Sequence, residues 1–309
     1  MRKSLMRLTL RQLQVFRAVC ETRSYSRAAE EMALTQPAVS LQIRQLEELV
    51  GQPLFEYVGK KLYLTDAAEA LRRAGADIFG RLESLDMQLS DLQGSLQGQL
   101  SLTVESSAQY FVPHLFGEFR REHPEVGLQL TVASHAQVLR RLGVSRDELM
   151  ILSQVPTGMN LEFNPFLTNQ IVAVAPPGHP LCQRDTLNLA DLTAWPLLVR
   201  EPGSGTRQAC EAFCHDKRAH FAQTLQLGSL EAQRAGVLAG LGLALLPRHA
   251  VSLELASGRL RELPVVELPL QHSWCVVHPR DRRLSPVASA FVEFIRANRA
   301  AINALNLRL

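Results

Sequence analysis

The segment Ser24–Val50 leaves this chain few options, because it writes two short helices and a tight break between them. Ser24-Tyr25-Ser26-Arg27-Ala28-Ala29-Glu30 reads as a short helix that Ser24 is placed to N-cap, with paired alanines as a small packing face. Leu34-Thr35-Gln36-Pro37 breaks and restarts the chain. Thr35 is able to cap, and Pro37 suits a first turn, where its missing N–H costs nothing. In the following helix Val39, Ile43, Leu46 and Val50 recur at steps of four, three and four, a single apolar stripe. The opposite face carries Gln36, Ser40 and Arg44, with Gln42 beside them. Such amides, hydroxyls and guanidinium groups read base edges and hold phosphates in a major groove. The pattern predicts a helix-turn-helix.

A wing follows. Leu54-Phe55 is expected to pack inward, Gly59-Lys60-Lys61 to make a tight basic turn, and Leu62-Tyr63-Leu64-Thr65 to return as a strand. A hairpin tipped by two lysines suits a minor-groove or phosphate contact. Either lysine alone suits a solvated turn equally well.

Residues 8–66 resemble the N-terminal domain of the LysR-type transcriptional regulators. The matching residues are Leu10-Arg11-Gln12-Leu13, Phe16, Val19, Ser26-Arg27-Ala28-Ala29, Gln36-Pro37-Ala38-Val39-Ser40, Gln42-Ile43, Leu46-Glu47, Gly51, Leu54-Phe55 and Leu64-Thr65. Many members of that family have a basic residue two places after the Leu-Phe pair. Here it is Tyr57, so a phosphate contact at that position is not carried over.

A chain of 309 residues fits two or three domains. No apolar run of about 18 residues exists, so no membrane span or membrane partner is expected. Arg2, Lys3, Arg7 and Arg11 precede no apolar segment. A loose basic extension over residues 1–7 is expected, with no secretory signal and a cytoplasmic location. The net charge of +3 is unevenly spread. Residues 1–65 hold ten Lys/Arg against six Asp/Glu, and residues 66–95 three against six. Positive charge therefore belongs to the DNA-binding segment, as counterion release requires. The five cysteines form no metal-finger spacing, and their odd number points to reduced thiols. Cys210 and Cys214 lie one helical turn apart, with His215 and His220 nearby. That spacing fits a helix face packed on a sheet more readily than a metal or redox site.

From Asp66 the pattern becomes a heptad. Leu71, Ile78, Leu85 and Leu92 recur every seven residues, interleaved with Leu82, Leu89 and Leu96. So narrow a seam on a polar helix predicts a dimer through residues 66–95, with Gly94 and Gly98 as a hinge. In the resembled family this linker helix pairs two DNA-binding heads, and an inverted-repeat site follows from the two-fold symmetry.

Beyond the hinge, strand and helix patterns alternate. Leu100, Leu102 and Val104 read as a strand, a helix buries Phe111, Leu115, Phe116 and Phe119, and Val126–Val132 alternates again, a βαβ unit. Further strands are expected at Leu149–Leu152, at Gln170–Ala175 (reached through Phe163–Phe166), Leu197–Val199, Thr224–Gly228, Leu241–Leu246 and Trp274–Val277, before a closing helix at Ser285–Arg299. The fold class expected is α+β multidomain. It comprises a winged helix-turn-helix (residues 1–65), a linker helix (66–95) and an effector domain (96–309) similar to periplasmic binding proteins. The family implies a discontinuous first subdomain, about 98–168 plus 276–309, and a second at about 169–275.

A ligand belongs where strand carboxyl ends meet helix N-termini. Ser106-Ser107 and Gly203-Ser204-Gly205-Thr206-Arg207 are the two junctions that stand out. Ser204, Gly205 and Thr206 are expected to hold the effector there, with Arg207 neutralising an anion; Ser229 and Gln154 are further candidates. Each alone also suits a plain cap or a surface charge. The strings Phe55–Thr65 and Arg200–Arg207 look like those of regulators of carbon-fixation (Calvin-cycle) operons, which respond to phosphorylated metabolites and nucleotide cofactors. Asp147–Gln154 departs from that pattern after its start, where a small residue and glycine are usual.

Double-stranded DNA, a small anionic effector, a homodimer or homotetramer and RNA polymerase are the expected partners. No cofactor or metal is expected. An enzyme finds little support: the Gly203-x-Gly205 turn lacks the Gly-Lys-Ser/Thr of a phosphate loop, and Pro202 replaces the first glycine of a nucleophile elbow. A freestanding solute-binding protein lacks a reason for the attached head. A regulator sensing oxidation through Cys210 or Cys214 stays open.

Overall fold

The computed structural model describes residues 5–91, 96–142, 147–154, 156, 158–281 and 283–306. They form two compact units, residues 1–85 and 86–309.

The first unit contains α1 (Leu10–Thr22), α2 (Tyr25–Glu31), α3 (Gln36–Val50), the hairpin β1 (Phe55–Val58) and β2 (Lys61–Leu64), and most of α4 (Asp66–Asp91). Local chemistry sets its helix starts. Thr9 and Gln12 form a capping box on α1, while Ser24 and Thr35 accept from the Arg27 and Ala38 N–H groups. Val39, Ile43 and Leu46 bury the α3 stripe against Phe16, Val19, Ala28 and Leu54. Phe55 anchors the hairpin to this core through the Phe16 and Tyr25 rings, at 5.6 and 6.0 Å. In the two-residue loop between β1 and β2 only Gly59 has positive φ (+64°), the requirement of a type II′ turn. Leu5–Arg7, expected as part of a loose extension, makes a 3₁₀ turn, and Leu8 beyond it packs on the core.

Thr65 caps α4, its Oγ1 accepting from the Ala68 N–H at 3.2 Å. The helix is described to Asp91, short of the 95 expected. Its heptad leucines divide. Leu71 is half-buried and packs against the core of the first unit. Ile78, Leu82, Leu85 and Leu89 remain 39–51% exposed. Leu96 packs against the core of the second unit. Leu92 and Gly94 lie outside the described residues.

The second unit runs β3 (Gly98–Glu105), α5 (Val112–Glu122), β4 (Val126–Ala133), α6 (His135–Leu142), β5 (Leu149–Leu152) and β6 (Leu161–Ala175). It continues with α7 (Leu189–Leu192), β7 (Leu197–Val199), α8 (Gly205–Asp216), β8 (Thr224–Gln226), α9 (Leu230–Leu238) and β9 (Leu243–Pro247). The remaining elements are α10 (Ser252–Ala256), β10 (Arg261–Glu262), β11 (Leu270–Pro279), α11 (Pro286–Ala297) and α12 (Arg299–Asn306). The strands order as β4-β3-β5-β11-β6-β9-β7-β8, with β10 on β6. β3 is parallel to β4 and β5, and β7 to β8 and β9. Between these parallel groups β6 and β11 pair antiparallel.

Two lobes result. The first closes on Leu100, Phe111, Phe119, Trp274 and Phe291. The second has clusters around Ile171 and Leu243 and around Val172 and Leu198. The strand expected at Gln170–Ala175 begins earlier, at Leu161, and takes in Phe163–Phe166 as the single strand β6, which crosses from lobe to lobe. Its apolar pattern breaks at Thr168-Asn169-Gln170 because no single core lies beneath that stretch. Likewise β11 extends well beyond Trp274–Val277. Trp274 and Cys275 pack with the first lobe, so on β11 the changeover comes earlier than residue 275. The helix α12 was not expected; Asn303 ties it to β6 through the Phe166 carbonyl at 2.6 Å. Among the described residues no helix is long and apolar enough to cross a membrane.

Candidate functional site

The face expected to read DNA is built by α2, α3 and the hairpin. Gln36, Pro37 and Arg44 are exposed, and Ser40 and Gln42 are half-buried beside them. The Arg44 Nη2 donates to Ser40 Oγ at 3.3 Å, so the two polar groups form one patch. Ser26 and Arg27 are exposed on α2, and Arg27 Nη2 donates to the Thr22 carbonyl at 2.7 Å, which fixes its direction. Lys60 and Lys61 are exposed on the hairpin. Leu41, 54% exposed between Ser40 and Gln42, was missed by the sequence reading. Its place off the apolar stripe is the signal: an apolar side chain on a reading face suits a thymine methyl.

The lobes of the second unit meet around the C-terminal end of β3. Glu105, 2% exposed, accepts from Ser153 Oγ at 2.8 Å and the Ser153 N–H at 3.2 Å, and its Oε1 lies 2.6 Å from His135 Nδ1. This carboxylate faces the first residue of α8: a Cβ on Gly205 would stand 2.8 Å from Glu105 Oε2. The expected glycine is thus required by an internal anion, which composition around Ser106 gave no reason to single out.

Several bonds join the lobes. Arg200 Nη2 donates to Ser106 Oγ at 3.2 Å, and the Ala136 N–H to the Gly203 carbonyl at 3.2 Å. Gln109 Nε2 and Tyr110 OH both donate to Glu231 Oε1 at 2.8 Å. Burial, then the hydrogen bond to Glu231, pushes the Tyr110 phenol well up. Burial also acts to raise the Glu231 carboxyl, but its own backbone N–H, Tyr110, Ser229 and Arg200 outweigh it and hold it low. His249 Nε2 donates to the buried Ser107 carbonyl at 2.9 Å, packed among Phe111, Trp274 and Tyr110. Burial drives its pKa down to about 4, against the weaker pull of that carbonyl.

The expected effector residues therefore divide. Ser106 lies at the lobe junction, as do Ser107 and Gly205. Ser204 and Ser229 are helix caps, their hydroxyls accepting from the Arg207 and Ala232 N–H groups. Thr206 is buried, and Gln154 is half-buried. Arg207 bonds Glu211 (2.6 Å), the Arg200 carbonyl (2.7 Å) and Gln226 (3.1 Å). Arg200 is the other arginine of that string. It is 3% exposed; Glu201 takes its Nε and Nη2, both at 2.8 Å, and Nη1 is buried without a partner. His272 Nε2 and Asn169 Oδ1, paired in register across β11 and β6, are likewise buried and unpartnered. Burial lowers the His272 pKa, with Glu105 pulling it back.

Cys210 and Cys214 face the second-lobe core, and burial raises both thiols. A peroxide sensor needs a lowered thiol, so this environment opposes the oxidation-sensing reading. Among the described residues no group of three or more His, Cys, Asp or Glu is placed to hold a metal ion.

Comparison with known proteins agrees with this geometry. Residues 10–69 match the bacterial regulatory helix-turn-helix protein, lysR family, and residues 93–300 the LysR substrate binding domain. The chain is 42% identical over 294 residues to the RuBisCO operon transcriptional regulator of Acidithiobacillus ferrooxidans, covering 95% of each. It is 33% identical to the Synechocystis PCC6803 CcmR regulatory domain solved in complex with 2-PG, covering 65% of this chain and 97% of that one, TM-score 0.62. Full-length CbnR complexed with its target DNA shares the fold, with TM-score 0.71 over 94% of this chain and 99% of that one at 20% identity. With both halves matched in order, this chain belongs to the LysR family: it is a DNA-binding transcriptional regulator that responds to a small-molecule effector.

Proposed function

We propose that this regulator controls a carbon-fixation operon and reads a small anionic metabolite held between the lobes of residues 98–306. The buried Arg200 carries the reading. Its unpartnered Nη1 offers a donor and a positive charge, and its Nη2 already bridges to Ser106. A buried N–H donor without a partner is costly, and an acceptor oxygen of an anionic ligand removes that cost. Glu105 stands nearby as a fixed negative group, so the ligand must also present a hydrogen-bond donor. The relative that binds 2-PG fits an anionic class, and the A. ferrooxidans relative supports the operon.

On DNA, Gln36, Ser40, Gln42 and Arg44 enter a major groove, while Ser26, Arg27, Pro37, Lys60 and Lys61 contact the backbone. Ile78, Leu82, Leu85 and Leu89 pair two copies, so the site is an inverted repeat bound by a dimer or tetramer. Effector binding changes lobe closure and thereby the spacing of paired heads on the promoter, where RNA polymerase is met. The chain works in the cytoplasm and carries out no catalytic step.

The test is footprinting of the region upstream of a carbon-fixation operon with the full-length protein, with and without 2-PG and other phosphorylated metabolites. The expected result is a protected inverted repeat whose extent changes with one of them, a change that Arg200→Gln abolishes while keeping DNA affinity. A wild-type response in Arg200→Gln overturns the site.

A further inference from the structure

Leu41 breaks the polar pattern of the outer face of α3. It is 54% exposed, whereas the polar residues on either side of it, Ser40 and Gln42, are half-buried. At helical spacing its neighbours are Pro37 one turn before and Arg44 and Gln45 one turn after, all exposed. The buried stripe of Val39, Ile43 and Leu46 lies on the opposite side of the helix. Leu41 is therefore at the centre of the outermost stripe, with Ser40 on one flank and Gln42 on the other. The Arg44 guanidinium is held toward the Ser40 flank by its bond to Ser40 Oγ.

This placement limits what can cover the helix. A duplex close enough to hydrogen-bond Ser40, Gln42 and Arg44 together has to cover Leu41 as well. Packing a leucine against another apolar group is favourable, while setting it against a polar base edge leaves that edge without a partner. Base edges in the major groove offer one apolar group, the C5 methyl of thymine.

We infer that Leu41 is a specificity-determining residue that packs on the C5 methyl of a thymine in each half-site. The inference rests on the proposal above that α3 enters a major groove. It gives α3 a second kind of contact beside the hydrogen bonds of Gln36, Ser40, Gln42 and Arg44. It also requires a thymine at one fixed place in each half of the operator.

Deoxyuridine tests it, because it pairs as thymine does and lacks only that methyl group. Full-length protein selects a duplex from a random library, and each thymine of the selected duplex is replaced in turn by deoxyuridine, in both half-sites. At one position the replacement is expected to weaken the wild type at least about fourfold, the effect of burying roughly one methyl group. Leu41→Ala should bind the thymine duplex as weakly as the wild type binds that deoxyuridine duplex, and should be indifferent to the replacement itself. Tolerance of deoxyuridine at every position by the wild type overturns the inference, and so does equal sensitivity in Leu41→Ala. Gln36→Ala and Arg44→Ala on the same duplexes separate the two levels. Loss of base preference in these two, with none in Leu41→Ala, sinks only the apolar contact. Retention of full preference by all three moves base reading off α3, and this inference falls with it.

Discussion

At the scale of single residues, Gly205 and Glu105 show how closely the lobe junction is built. The Glu105 carboxylate cannot retreat from an added methyl group, because Ser153 and His135 hold it. Gly205→Ala is expected to cost about 1–3 kcal/mol by overpacking, read as a lowered urea midpoint of the effector half. Glu105→Ala in the same chain should restore most of the loss, and no recovery would refute the contact. His249 makes a pH prediction. Its folded pKa, about 4, lies below the usual 6.5, so above pH 6.5 the neutral form is common to both states. As pH falls through that window the unfolded chain takes up a proton that the folded chain refuses. Stability is therefore lost from about pH 6.5 down to 4, by on the order of 3 kcal/mol at about 1.4 per pKa unit. Unfolding free energies at pH 7.5 and 5 should converge less in the wild type than in His249→Gln; equal pH dependence of the two would discard the assignment. On the reading face, Arg44→Ala should cost ~1–3 kcal/mol at one base pair if it reads a guanine. A uniform loss on all DNA would make it a phosphate contact.

At the scale of elements, α4 and α8 carry the main consequences. The four large apolar side chains left bare on α4 are too many to face water without a partner. Leu82→Asp with Leu85→Asp should turn a dimer into a monomer in sedimentation and lower operator affinity at least a hundredfold. A dimer that survives both changes would move the interface elsewhere. For α8, Ser204 is a cap before it is anything else. Ser204→Ala is expected to cost ~0.5–2 kcal/mol of stability with or without effector, whereas Arg200→Gln should alter only the effector response.

For the molecule as a whole, DNA affinity should fall steeply with salt if the exposed Arg27, Lys60 and Lys61 of each of two copies contact phosphates as proposed. Replacing Lys60 and Lys61 by Ala should lower the salt slope by roughly two to four, as those contacts are lost from one copy or both. An unchanged slope would leave the hairpin off the backbone.

The head was legible in residue order alone. Caps at Ser24 and Thr35, the α3 stripe and the Gly59 turn are local patterns completed within a few residues, and they form as expected. The alternation of strand and helix was legible for the same reason, and so was membership of the family. That crossing strands link the lobes was expected, but how far each extends was not legible, because a strand that leaves one core for another loses its regular pattern midway. The cation proposed for the effector site was also hidden: Arg200 and Arg207 stand equally in one string, and only folding leaves Arg200 Nη1 buried without a partner. Likewise only packing decided that Leu71 rests against the head's core while Ile78 is more exposed. Those outcomes rest on partners distant in the chain, such as Ser106 with Arg200 and Ser107 with His249, separated by 94 and 142 residues. Local propensity carries no information across such distances; the closure of two lobes does.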